Sequence, residues 1–194
     1  MTIPAFIAAV LALLLTPGPT NTLLAVGGAS AGFRRSLPLI LAEASGYLLT
    51  ITPLVTFAGP YLAAHPLAAS AIKLCSAVWV LLLAIRLWTT PPATAGTSPS
   101  LVTFRQVFIT TVLNPKALIF GLVLVPHGTL ANVVPWLGLF VILVVSAASI
   151  WLSAGAAILY RQRDAGFPPL LSRIAASVML LFAASLAGSS LGLI

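Results

Sequence analysis

IPAFIAAVLALLLTPGPTNTLLAVG, running from Ile3 to Gly27, decides the fold of this chain. It contains no charged residue, and it is long enough to cross a bilayer, which takes ~20 apolar residues. Its middle, Thr16-Pro17-Gly18-Pro19-Thr20-Asn21, cannot be one continuous helix. Each proline lacks a backbone donor, and its ring clashes with the preceding turn. Two prolines around a glycine therefore open a helix instead of bending it. Backbone groups freed at mid-membrane depth must meet protein, water or a ligand. The half-helix after the break presents unpaired N–H groups and a partial positive charge, which suit a carboxylate. Thr16, Thr20 and Asn21 could satisfy some of the freed groups, and a structural kink is the alternative reading. No Lys or Arg precedes Ile3, so the run lacks the basic start of a secretory signal and reads as a retained first helix.

The rest of the chain continues the pattern. Of its 194 residues, 60% are hydrophobic and 6% charged, against about 25% charged in soluble domains. Six apolar spans fall at residues 3–27, 37–61, 66–88, 104–126, 133–160 and 169–193. They leave no room for a soluble domain, so the expectation is a single all-α integral membrane domain over 1–194. Residues 89–103, rich in Pro, Thr and Ser, read as a cytoplasmic linker. All seven arginines fall on the odd-numbered loops or the helix ends beside them: Arg34, Arg35, Arg86, Arg105, Arg161, Arg163 and Arg173. The positive-inside rule then places those loops in the cytoplasm and both termini outside. Scattered in this way, the net charge of +7 orients a membrane protein and does not form the clustered face of a nucleic-acid binder.

A second break lies at Asn114-Pro115-Lys116, about halfway along the fourth span. Asn114 can cap a half-helix that starts at Pro115. Lys116 is about eleven residues beyond Arg105, hence ~16 Å into the membrane, where an ammonium is costly and marks function or an internal ion pair. Each break heads a group of three helices, and three is odd, so the second group would be inverted relative to the first. Interrupted segments at matching places in two halves point to a transporter's binding site. Glu43 is the only acid within a span. With Tyr47 and Thr50 it has the i, i+4, i+7 spacing of one helix face. Glu43 could pair with Lys116, hold a substrate ammonium or carry a coupled proton. Lys73 is open between snorkelling and a bundle-facing role. His65 and His127 read as interfacial, and the four tryptophans mostly as lipid-facing or interface anchors.

Enzyme chemistry finds little to use. A thiol–disulfide carrier needs two cysteines, and the chain has Cys75 alone. Both histidines sit at expected external ends, away from any nucleophile or metal cluster. Neither a cofactor nor a metal is expected, and no Walker-type glycine loop is present.

These residues resemble the lysine exporter (LysE/RhtB) family, which includes homoserine and threonine efflux proteins. The resemblance rests on Pro17-Gly18-Pro19, Gly32-Phe33-Arg34-Arg35, Ala42 and Gly46. It continues through Lys73, Ser76, Trp79, Ala84 and Arg86, then Asn114-Pro115-Lys116-Ala117, Phe120 and Pro126. Tyr47 stands where many members carry an acid, Thr20 intervenes before Asn21, and Pro126-His127-Gly128 replaces a common Pro-Gln-Phe. The resemblance implies a secondary transporter in a bacterial inner membrane that exports amino acids or related zwitterions by proton antiport. The expected substrate-binding residues are Pro17, Gly18, Pro19, Thr20, Asn21, Asn114, Pro115 and Lys116. Glu43 and Tyr47 are the expected proton-coupling or ammonium site. The expected partners are an amino acid and membrane lipid, and the small residues Ser153, Gly155 and Ala156 could mediate helix contacts, those of a homodimer included. The alternative is a membrane subunit that transports nothing, or a carrier of another small solute.

Overall fold

The computed structural model describes residues 2–58, 61, 64–89, 102–161 and 169–190, all of them in helices, turns or connections, with no strand. Helix α1 (Ile3–Leu15) stops at Thr16, and α2 (Pro19–Ala31) starts on a proline. A proline at the first position gives up no hydrogen bond. The two halves meet at 64°. Gly32 alone joins α2 to α3 (Phe33–Pro53), at a φ of 79° that favours glycine. The expected basic loop is therefore one residue long. Arg34 and Arg35 lie in the first turn of α3, and this helix begins at Phe33 instead of Leu37. It ends in a π-helical turn over Leu54–Ala58.

Helix α4 spans Pro66–Thr89. Helix α5 (Phe104–Val112) opens on a capping box, in which Gln106 N donates to Thr103 Oγ1 at 3.2 Å and Thr103 N to Gln106 Oε1 at 2.8 Å. Asn114 then caps α6 (Pro115–Ile119), which continues as a second π turn over Phe120–Leu124, and α5 meets this stretch at 46°. Helix α7 (Leu130–Arg161) starts ahead of the expected Val133 and runs through Pro135. Helix α8 covers Pro169–Ser190. Most of the linker 89–103, with Arg163 and Asp164, lies outside the described residues, as does the side chain of Lys73.

Among the described residues, three helical stretches are long and apolar enough to cross a membrane: Phe33–Ala58, Pro66–Arg86 and Leu130–Ala157. Counting each bent pair as one span makes five, and α8 adds a shorter apolar stretch, Arg173–Ser185. The outer surface suits lipid. Leu67 is 87% exposed, and Phe57 and Leu181 74% each, whereas large apolar patches are rare on soluble monomers.

Among the described residues two large apolar clusters organise the interior, beside a small third one at Leu54 and Leu118. One gathers Leu23, Leu24 and Val26 from after the first break with Val107 from before the second. The other gathers Phe6, Val10 and Leu14 from before the first break with Ala117 and Phe120 from after the second. Both breaks thus lie in the layer between the clusters. The chain crosses that layer in opposite senses at its two breaks.

Helix α2 is buried along most of its length and packs against α7 and α3. The α2–α7 approach is set by glycines. A Cβ on Gly28 would lie 2.2 Å from Leu152 O, and one on Gly155 would lie 1.9 Å from Ala25 O. Gly155 is therefore used inside the bundle and is not available to a second copy, while Ser153 is exposed. Gly155→Ala should destabilise the protein by about 1–3 kcal/mol, because backbone cannot give way as a side chain does. Thermal unfolding in detergent measures this; an unchanged midpoint would contradict the close α2–α7 packing.

Candidate functional site

The first break leaves the last carbonyls of α1 without helical donors. Side chains from three other elements supply them. Asn21, one turn into α2, donates through Nδ2 to Leu14 O at 2.6 Å and Thr16 O at 2.9 Å. Lys116, from the second break, donates through Nζ to Leu13 O at 2.8 Å and Thr16 O at 2.5 Å. Trp151 Nε1 of α7 reaches Leu14 O at 3.4 Å. Gly18 makes room for the lysine: a Cβ there would sit 3.2 Å from Lys116 Nζ.

Asn114 links the breaks from the other direction. Its Oδ1 accepts from Lys116 N at 3.0 Å and so starts α6. Its Nδ2 donates to Thr20 Oγ1 at 3.0 Å and lies 3.5 Å from Tyr47 OH. Thr111 Oγ1 is also 3.5 Å from Thr20 Oγ1. The Tyr47 ring stands edge-on to Phe120 and Phe140, with centroids 5.5 and 5.6 Å away. That aromatic group closes one side of the polar layer.

Glu43 is buried on α3, one turn before Tyr47. Its Oε2 has no hydrogen-bond partner. A buried carboxylate oxygen with no donor is costly and calls for an explanation. Lys116 is the other buried charged residue of the layer. No ion pair joins them among the described residues, because the ammonium is engaged by the α1 carbonyls.

Most of the polar residues named from sequence are thus gathered in one buried layer, while Thr16 and the expected site residue Pro17 are exposed. Thr20, Asn21, Glu43, Tyr47, Asn114 and Lys116 are all less than 10% exposed, and Thr50 lies alongside, donating to Val112 O at 3.3 Å. A cavity of about 390 Å³ reaches Asn114 from the side, between Thr50, Leu54, Ile72, Val112 and Leu118. Its volume falls in the range of small-ligand pockets. His65 and His127 are exposed, away from the layer.

Two of the four tryptophans, Trp79 and Trp151, turn their donors inward. Trp79 Nε1 donates to Thr110 Oγ1 at 2.8 Å, Trp136 packs edge-on to Phe6 at 5.1 Å, and Trp151 faces the first break. Trp88, 52% exposed, has the expected outward setting, and Trp136 stays partly exposed. An indole N–H beside a buried hydroxyl or an orphan carbonyl finds a partner there, which outweighs an interfacial position. Phe140 and Trp151 carry no sequence signal beyond their aromatic character.

No protein-family model matches this chain, and neither the curated proteins nor the solved structures include a significant match to it.

Proposed function

We propose that this chain is a secondary transporter that exports amino acids or related small zwitterions from the cytoplasm by proton antiport. One observation carries the reading: two helices, each broken in mid-span, cross-bond at their breaks beside a buried ammonium and a buried carboxylate with an unpartnered oxygen. Broken helices that expose termini at the midplane are how many carriers hold substrate and coupling ion. The half-helix start at Pro19, with Thr20 and Asn21, offers a site for a carboxylate. The space beside Asn114 gives room for a side chain.

The reading takes the chain as six transmembrane helices in two inverted repeats, α1–α4 and α5–α8, with each bent pair as one span. The opposite sense of the two breaks supports this. Rocking of one repeat against the other would alternate access to the layer between the apolar clusters. The arginine distribution puts both termini outside a bacterial inner membrane. The outward direction and the amino-acid class rest on the resemblance to the lysine exporters.

Everted membrane vesicles test the reading. With the vesicle lumen made acidic, amino acid should accumulate inside in a protein-dependent manner, and collapse of the pH gradient should release it. Accumulation indifferent to the gradient would remove the antiport step. No accumulation of any amino acid by folded protein would favour a non-transporting subunit.

A further inference from the structure

We propose that the carbonyls of Leu13 and Thr16 form an alkylammonium site that Lys116 fills with its own side chain, and that a zwitterion enters by exchange. The ligand's ammonium takes the carbonyls while its carboxylate receives the displaced Lys116 ammonium. The exchange deepens the transporter reading and rests on it; the ammonium site does not.

The geometry is that of a cation site. A helix C-terminus carries partial negative charge, and α1 ends here against the buried Lys116, with Leu15, Thr16 and Pro17 themselves exposed. Its carbonyls are not all treated alike. Leu14 O is held by Asn21, a short side chain on the adjoining half-helix that also reaches Thr16 O, and by Trp151. Leu13 O and Thr16 O receive a compact ammonium on a flexible four-carbon stem that comes from the other broken helix. The first is a fixed cap and the second a removable one. Gly18 leaves the opening through which Nζ is seated, with the Phe182 ring of α8 behind it. Two of the three ammonium donors are engaged by the carbonyls. An α-amino acid carries the same ammonium, with a carboxylate one carbon away.

Charge decides which ligands can enter. The layer holds one carboxyl, that of Glu43, so a bare alkylammonium beside the displaced Lys116 would leave two buried cations short of an anion, which is strongly unfavourable. A zwitterion brings that anion with it. The intact protein should therefore refuse ethylammonium. Lys116→Ala, which empties the carbonyls of their own cation, should accept it.

Thermal unfolding of purified protein with ethylammonium chloride, against sodium chloride at equal ionic strength, tests this without measuring flux. Lys116→Ala should gain roughly 3 °C at a concentration ten times its Kd, with no gain in the unaltered protein. Lys116→Met, which keeps most of the stem volume, should respond less than Lys116→Ala. If Lys116→Ala is recovered folded only when purified with ethylammonium, that also supports the site. Equal responses in altered and unaltered protein would overturn it, as would no response in either variant or an equal effect of sodium. Transport without any ethylammonium response would refute the exchange alone. An ethylammonium response without transport of any amino acid would keep the site and remove the transporter reading.

Discussion

Lys116→Ala is expected to lower amino-acid exchange at least about 30-fold while the protein still folds and inserts. Truncating one partner of a buried, hydrogen-bonded charge costs about 2–5 kcal/mol, and each 1.4 kcal/mol is tenfold. The lysine bridges the two breaks, so its loss removes the tie between α1 and α6 as well as the charge. Folding should suffer less than transport. Two α1 carbonyls lose a donor, at about 1–3 kcal/mol, while Asn21 still holds Leu14 and Thr16. Lys116→Arg separates charge from shape. A planar guanidinium keeps the charge but cannot present a compact ammonium to both carbonyls, so this variant should also be slow. Initial exchange rates per folded protein, with monodispersity as the control for folding, give the result. Exchange at the unaltered rate in Lys116→Ala would sink the proposed role.

Glu43→Gln is expected to separate two kinds of transport. With the substrate ammonium on the α1 carbonyls, Glu43 is left to carry the proton. Glutamine has nearly the same size and does not titrate, so it can sit in the buried place of Glu43 on α3 without moving a proton. Flux driven by a pH gradient should fall at least about tenfold, a loss of 1.4 kcal/mol in coupling. Exchange of substrate for substrate, which needs no net proton movement, should stay within about twofold. Vesicles with and without an imposed gradient measure both. If exchange falls together with driven flux, Glu43 holds the substrate instead.

Much of this arrangement is legible in the sequence because its causes are local. Proline chemistry marks both breaks, and Asn114 before Pro115 announces the cap on α6. The capping box at Thr103 and Gln106 is likewise readable. What is not legible depends on partners far along the chain. Lys116 invites pairing with Glu43, the one acid in any span, yet it meets the carbonyls of Leu13 and Thr16. An orphan carbonyl has no letter in the sequence. Thr20, a departure from the exporter pattern, is the acceptor for Asn114. Trp79 and Trp151 follow the same rule: their apolar rings suggest lipid, but their donors found partners inside the bundle. Gly155 suggests contact with a second copy, because the sequence does not say which neighbour a small residue meets.

The layer between the two breaks is proposed to bind a zwitterion and carry it across the membrane. Counterflow in proteoliposomes tests it most directly, with purified protein, a panel of labelled amino acids, and unlabelled amino acid, amine or carboxylic acid trapped inside. Saturable entry of label driven by the trapped amino acid, and by neither ethylammonium nor propionate, is the expected result. Entry driven as well by the amine alone or the acid alone would contradict zwitterion exchange, and no entry of any label into liposomes holding folded protein would contradict transport of amino acids altogether.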